Sequence, residues 1–380
     1  MRSGIYLDYA AATPVAPEVF EIMKPYYSDL FFNPSADYSQ ARNVKKLLNE
    51  ARARVAYWLG AQSNEILFTA GGTEANNLAI HGVMANYPES KILHSSIEHD
   101  SVLNPAKRYN SVEIPVYQDG RVNLDKLQAA IDDDTVMISV MYANNEIGTI
   151  QPLHKIGLII DKIKKDRKTR GVKLPLVFHT DACQAANYLD LHVSRLGVDM
   201  MTLNGGKIYG PKQSGVLYVR RGTALTPQIE GGGQEFNLRS GTENVAGAIG
   251  LSVALDQVQA MRQSESARLT KIRNYFIDRL EKELKATMNG SKEFRLANNV
   301  HATFDGQDNE YLLIGLDQAG IMAAAGSACS ASKEESSHVL LALGLSDEGA
   351  RSSLRLTLGR QTTEADIEKT IKALSQLILS

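Results

Sequence analysis

The sequence predicts an α/β fold: a large domain built on a mainly parallel, doubly wound sheet of seven strands, and a small α+β C-terminal domain. Three observations predict it. Seven strand-length apolar runs, at 65–70, 91–95, 112–117, 136–142, 175–181, 199–204 and 215–219, alternate for the most part with helical patterns. A helical region of about 244–287 then leads into a second, shorter series of strands and helices. Polar residues stand just past several strand ends: Glu98 and His99, Asn144-Asn145-Glu146, Asp181 and Gln184, and Lys207. In a doubly wound sheet that edge faces the ligand crevice.

At 380 residues the chain can bury a large core and form about two domains. The expected division is 14–262 for the large domain, with 1–13 and 263–380 making the small one. The polar stretch Gln263-Ser264-Glu265 is read as a break in the long helical region. Lys and Arg number 41 against 43 Asp and Glu, a net charge of −2, so no basic footprint argues for direct nucleic-acid binding. The apolar runs are too short to span a bilayer, and MRSGIYLDYAAATPV lacks the apolar core of a signal peptide. A soluble protein of the cytoplasm or of an organelle matrix is expected. With no secretion signal, Cys183 and Cys329 read as two free thiols rather than a disulfide.

In chain order, residues 17–29 and 40–59 read as helices. In the second, Val44, Leu47, Leu48, Ala51, Val55, Trp58 and Leu59 recur at helical spacing. The run EILFTA (65–70) enters Gly71-Gly72-Thr73-Glu74 and then a helical pattern over 75–85. A strand, two glycines, a hydroxyl and a helix start can cradle a phosphate. Helices are predicted again at 122–133 and 152–168. Beyond the long helical region come strand 298–304, helix 309–319, strand 321–325, helix 336–343, strand 351–358 and helix 363–379. Thr363 is the candidate N-cap of the last helix, with Glu364 and Asp366 in its first turn.

Four stretches carry chemistry. In DMMTLNGGKIYGPKQSGVLYV (199–219), Lys207 sits on a tight glycine turn between two apolar runs. It is either a lysine that snorkels to solvent or a partly desolvated amine suited to Schiff-base chemistry. PLVFHTD (175–181) ends in a carboxylate, Asp181, on the same predicted sheet edge. A lysine that links to an aldehyde, with an acid for a pyridine nitrogen, is the pairing that pyridoxal phosphate (PLP) needs. In the small domain, Cys329 lies within AGSACSAS (325–332), read either as a small-residue turn with an incidental thiol or as an accessible nucleophile. Arg355, in the apolar strand RSSLRLTLG, is either paired structurally or suited to grip a carboxylate.

Together these stretches resemble the PLP-dependent cysteine desulfurases of the NifS/IscS type, within the fold-type I aminotransferase superfamily. The resemblance runs nearly end to end. Its marks are YLDYAAATPV (6–15), NPS (33–35), FTAGGTEANNLAI (68–80), EHDSV (98–102), ANNEIGTIQP (143–152), HTDACQA (179–185), GKIYGPK (206–212), GGGQE (231–235), RSGTEN (239–244), GSACS (326–330) and RLTLGR (355–360). GSACS and the polar segment after it resemble the class I subgroup.

The resemblance implies a fold-type I transferase that turns L-cysteine into L-alanine and passes the sulfur to Cys329 as a persulfide. That sulfur would serve iron–sulfur cluster assembly, thio-cofactor synthesis or tRNA thiolation through an acceptor protein. It implies that Lys207 holds PLP and shuttles protons, that Asp181 pairs with the ring nitrogen, and that His99 stacks on the ring and assists proton transfer. Gln184 and Asn145 would contact the ring oxygen or substrate. Gly72 and Thr73, with Asn204 beside the lysine, would serve the phosphate, and Thr242 would reach in from the second subunit of a homodimer. Arg355, helped by Asn33, would grip the substrate carboxylate. Four positions depart from the family pattern. Asn204 and Gly206 stand where Ser and His precede the lysine, Phe236-Asn237 replaces Arg-Gly after GGGQE, the His after NPS is missing with Tyr38 nearby, and Ser336 or Ser337 replaces a proline. The readings set beside this one are a selenocysteine lyase or other PLP β-lyase, and a non-catalytic PLP-fold scaffold. No metal site is expected.

Overall fold

The computed structural model describes residues 4–326 and 336–379. After a short strand β1 (Ile5–Tyr6), the chain builds a seven-stranded sheet from β2 (Ile66–Thr69), β3 (Lys91–Ser95), β4 (Asn110–Ile114), β5 (Thr135–Ser139), β6 (Val177–Asp181), β7 (Met200–Asn204) and β8 (Gly215–Val219). Their order across the sheet is β2-β8-β7-β6-β5-β3-β4. Only β8 runs antiparallel to its neighbours, β2 and β7. The seven expected strands are all present.

Successive residues of these strands serve opposite layers, because side chains alternate across a strand. Phe68, Leu93, Ile138, Phe178, Met201 and Val216 pack with the helix Ser39–Leu59, the helix Leu153–Arg170 and the start of a long helix, Val245–Leu284. Leu67, Ile92, Met137, Val177, Met200 and Leu217 pack against the helices Gly72–Met84 and Asp100–Ala106. Burial on both faces explains why the strands read as continuous apolar runs.

A second core lies beyond the sheet. Strands β9 (Thr287–Met288), β10 (Asn299–Thr303) and β12 (Ser353–Thr357) form an antiparallel sheet in the order β12-β10-β9, while β11 (Ile321–Met322) pairs in parallel with β1. Leu269, Ile272, Phe276 and Leu280 of the long helix join this core, with Leu312, Leu316, Ile367, Ile371 and Leu374. No helix among the described residues is long and apolar enough to cross a membrane.

Two expectations need correction. The helix Val245–Leu284 runs unbroken through Gln263-Ser264-Glu265. Polarity there marks exposure rather than a break: no Gly or Pro interrupts the run, and Arg268 pairs with Glu265 one turn back at 2.8 Å. The predicted helix 17–29 is two helices, Pro17–Met23 and Pro25–Ser28. Pro25 has no N–H to continue the ladder and opens the second helix instead.

One buried ion pair ties the edge of the sheet to its covering helix. Arg52 donates to both oxygens of Glu235 at 2.6 and 2.7 Å, and Glu235 also accepts from the Phe68 N–H at 2.9 Å. Both side chains are nearly sealed from water. Glu235→Ala leaves a buried guanidinium without its counter-charge, and should lower the unfolding free energy by about 3–5 kcal/mol. Urea unfolding followed by Trp58 fluorescence measures this, and Arg52→Met added to it should recover part of the loss.

Candidate functional site

The order of strands turns around at β3, which has β4 on one side and β5 on the other. Chain leaving β3 and β5 at their carboxyl ends therefore diverges and opens a crevice. A cavity there is lined by Ala10, Ala11, Gly72, Thr73, His99, Ser101, Met141, Ala143, Asn145, Asp181, Cys183, Gln184, Asn204, Lys207 and Arg355. A larger surface cleft, between Lys164–Val177 and Asp199–Ala224, contains none of the expected site residues.

Lys207 leaves β7 on a short 3-10 turn, Gly205–Lys207. Asn204 caps the turn, its Oδ1 accepting from the Gly206 N–H at 3.0 Å. Gly205 has no room for a side chain, since a Cβ there would meet Ser214 Oγ at 2.1 Å. The Lys207 ammonium donates to the carbonyls of Ala10 and Ala11 at 2.8 and 2.6 Å. Gln184 Nε2 reaches the same Ala10 carbonyl at 2.9 Å. The YLDYAAATPV stretch thus forms a wall of the cavity.

Asp181 ends β6. Its Oδ2 accepts from Asn76 Nδ2 at 2.7 Å and its Oδ1 from the Cys183 N–H at 2.9 Å. His99 caps the helix Asp100–Ala106 with Nδ1, which accepts from the Ser101 N–H at 3.0 Å and lies 2.8 Å from Ser101 Oγ. A nitrogen that accepts a backbone N–H carries no proton, so the neutral ring is the Nε2–H tautomer. His179, two residues before Asp181, differs: it is sealed within the sheet, and desolvation lowers its pKa to about 4.

The glycine turn faces the cavity at the N-terminus of the helix Gly72–Met84. Gly71 has φ +153°, a backbone region that side chains disfavour, and a Cβ on Gly72 would meet Cys183 Sγ at 2.8 Å. Asn204 Nδ2 lies 3.5 Å from that same Cβ position, so an amide donor borders the cradle. Gly206 is buried as well, but a Cβ there would make ordinary contacts, the nearest with Asn204 Oδ1 at 3.4 Å.

Arg355, on β12, closes the far side. Its guanidinium donates to Asp8 Oδ1 at 2.7 Å and to the Asn145 carbonyl at 3.2 Å, while the buried Nε has no partner among the described residues. Arg355 is thus paired structurally with Asp8, and it also lines the cavity. The structure does not bring Asn33 or Thr242 to this cavity: Asn33 is exposed and accepts from the Ser35 N–H, and Thr242 is exposed in the loop before the long helix. Cys329 lies outside the described residues.

Cys183 is buried, and burial with the neighbouring Asp181 charge pushes its thiol pKa well up, which favours the unreactive protonated form. The sequence reading missed Asp8, Asn76, Ser101 and the Ala10 and Ala11 carbonyls. Asp8 and Asn76 do stand within the YLDYAAATPV and FTAGGTEANNLAI stretches. Their partners lie 347 and 105 residues away, which no local pattern reports.

A family model described as aminotransferase class-V matches residues 5–370. A Dictyoglomus turgidum protein named cysteine desulfurase IscS is 42% identical, with the match covering 100% of this chain and 95% of that protein. The X-ray structure of a NifS-like protein from Rickettsia africae has TM-score 0.88 and 32% identity, covering 99% of this chain and all of the other. A structure described as SspA in complex with cysteine has TM-score 0.81 and 34% identity, over 93% of this chain and 98% of the other.

Glu98 links the cavity wall to the sheet. Its Oε1 accepts from Ser95 Oγ at 2.5 Å and the Met141 N–H at 2.7 Å, and Oε2 is buried without a partner among the described residues. Burial raises its pKa to about 8, with the Asp181 charge adding to the rise. The unfolded carboxyl ionises near 4.5, so the folded state binds the extra proton between the two values. The stability from that proton is fully present below pH 4.5 and is lost as pH rises through about 8. Glu98→Gln, which mimics the protonated acid, should flatten this dependence. Its stability relative to the native protein should rise from about pH 5 to about pH 8, as chemical denaturation at each pH will show.

Proposed function

The chain belongs to the class-V aminotransferase family, and on that premise we propose that it is a PLP-dependent cysteine desulfurase, which converts L-cysteine to L-alanine and moves the sulfur to Cys329. The observation that carries the reading is the meeting of Lys207, Asp181 and Arg355 on three walls of one cavity. The residues present fit PLP: an amine for its aldehyde, a carboxylate for its ring nitrogen, and a helix start whose Gly72 leaves no space for a side chain.

When bound, PLP supplies an electron sink for charge that develops at the substrate Cα. Asp181 would hold the pyridine nitrogen, with both carboxylate oxygens already oriented by Asn76 and the Cys183 N–H. Gly72, Thr73 and Asn204 would hold the phosphate, and His99 would cover the ring with its Nε2–H. Arg355, fixed by Asp8, would offer Nε to the substrate carboxylate and set its orientation. Asn145 and Gln184 border the same space. Lys207 would take the proton from Cα and return one later. The Cys329 thiolate would attack the substrate sulfur. An S–S bond forms as the C–S bond breaks, the C–S electron pair stays with carbon, and carbon gains a proton. L-cysteine and one thiol thus give L-alanine and one persulfide, with no outside oxidant.

The proposal extends to assembly. The exposed Thr242 would serve the phosphate of a second copy in a two-fold homodimer. A sulfur-acceptor protein in the cytoplasm or an organelle matrix, an iron–sulfur scaffold or a thiolation protein, would discharge Cys329.

Incubation with PLP and L-cysteine should yield alanine and, with a reductant, sulfide. Lys207→Ala should abolish both products, and so should Cys329→Ser, which still takes up substrate with a change in the visible spectrum. Cys183→Ala should retain both products. Alanine turnover by Cys329→Ser, or persulfide mapped to Cys183 by peptide mass spectrometry, overturns the assignment.

The second test concerns the phosphate subsite. Gly206 supplies no side-chain donor, and a side chain fits there. A charge-assisted hydrogen bond contributes about 1.5–3 kcal/mol. Gly206→His should therefore tighten PLP binding by about tenfold to a hundredfold, measured by equilibrium dialysis. An unchanged affinity would mean that Asn204 alone satisfies the phosphate.

A further inference from the structure

Asn76 occupies an unusual place. It sits within the helix Gly72–Met84, on the side covered by the sheet, and is sealed from solvent. Its carboxamide oxygen has no partner among the described residues. An unsatisfied buried acceptor costs stability, and an apolar residue would avoid that cost. The amide end explains the residue. One N–H of Nδ2 meets Asp181 Oδ2 at 2.7 Å, and the other meets Ser101 Oγ at 2.9 Å. A carboxylate only accepts, so Nδ2 and not Oδ1 faces Asp181. Ser101 Oγ, with its lone pair engaged by Asn76, is left to donate its proton to His99 Nδ1, 2.8 Å away. The polarity of the whole chain is thereby fixed, from Asn76 outward in two directions.

We propose that Asn76 is a positioning residue that holds Asp181 and, through Ser101, His99 in a fixed mutual register around the cofactor. This rests on the PLP reading above. On that reading Asp181 would meet the ring at its nitrogen and His99 would cover its face, and the two come from different elements, β6 and the cap of the helix Asp100–Ala106. Among the described residues, Asn76 is the side chain hydrogen-bonded to both Asp181 and Ser101. Ser101 also lines the cavity. Losing the amide frees Asp181 Oδ2 to rotate and leaves the Ser101 hydroxyl free to turn from His99.

The test uses Asn76→Leu, which keeps the branched four-heavy-atom shape and removes both donors, and Ser101→Ala, which removes the His99 arm alone. In the cofactor-free chain labelled with 15N-histidine, the His99 Nδ1 resonance should move toward the value of an unbonded imidazole nitrogen in both variants. In protein loaded with PLP labelled at the ring nitrogen, that 15N shift should move toward the unprotonated value in Asn76→Leu, with PLP binding weakened about tenfold, and should stay native in Ser101→Ala. A merely structural role predicts a changed melting temperature with both nitrogen shifts unmoved, and that result overturns the proposal. Failure of the native chain to bind PLP refutes the cofactor reading instead, while the His99 shift still decides the role of Asn76. If Asn76→Leu does not fold, Asn76→Ser, with one donor for two acceptors, should move one of the two resonances; if it moves neither, the proposal fails.

Discussion

The site depends on one constraint: parallel strands deliver their carboxyl ends to a single edge, and the strand order turns around at β3. His99 follows β3, Asn145 follows β5, Asp181 ends β6 and Lys207 follows β7. Four short stretches, far apart in the chain, reach one cavity because of that edge. The antiparallel β8 reinforces the arrangement. It returns from the lysine turn to pair Gly215 with both Asn204 and Thr69. A Cβ on Gly215 would come within 2.6 Å of the Gly71 backbone, so the lysine turn and the glycine cradle are packed against each other.

The N-terminal stretch fastens the second core to this edge. Asp8 holds Arg355 of β12, while Ala10 and Ala11 accept from Lys207. Thr13 bonds the Gly206 carbonyl through both its N–H and its hydroxyl, and its Oγ1 accepts from the Tyr209 N–H at 2.8 Å. A guanidinium that could bind a carboxylate and an amine that could bind an aldehyde are thus set in register by a few residues of backbone. The distance between them is controlled without either side chain touching the other, which suits a small amino acid held at both ends.

The sheet strands other than the edge strand β4 were legible because each is buried on both faces and bounded by turn residues, and apolar runs of that length have few other uses. Asp181 and Lys207 were legible for the converse reason: a charge at the end of such a run is out of keeping with its surroundings. The two-residue strands β1 and β9 were not, since pairing of that length depends on distant partners and leaves no periodicity. Gln263-Ser264-Glu265 misled because exposed helix and broken helix have the same composition. Asn76 and Ser101 escaped for a related reason. A polar residue in a helix ordinarily faces water, and only the sheet packed over Gly72–Met84 makes the position a buried one.

The described residues on either side of the segment 327–335 bond to a cavity residue on one side and to neighbours of cavity residues on the other. On its N-terminal side, Ala324 exchanges two backbone hydrogen bonds with Arg355, at 2.7 and 3.3 Å. On its C-terminal side, Ser337 Oγ donates to the buried Glu146 at 2.5 Å, and His338 Nε2 lies 3.0 Å from the Glu98 carbonyl. Glu146 follows Asn145 and Glu98 precedes His99, so both groups are neighbours of cavity residues. Ser337 stands near the place where the family pattern has a proline, and its hydroxyl makes a contact that proline could not. The described chain on either side of residues 327–335 is thus bonded to Arg355, which lines the cavity, and to Glu146 and Glu98, next in sequence to the lining residues Asn145 and His99. Cys183 is close to Asp181 in sequence yet packed away with its proton held on. Closeness to Asp181 in sequence therefore does not make a reactive thiol of Cys183, because burial decides its protonation.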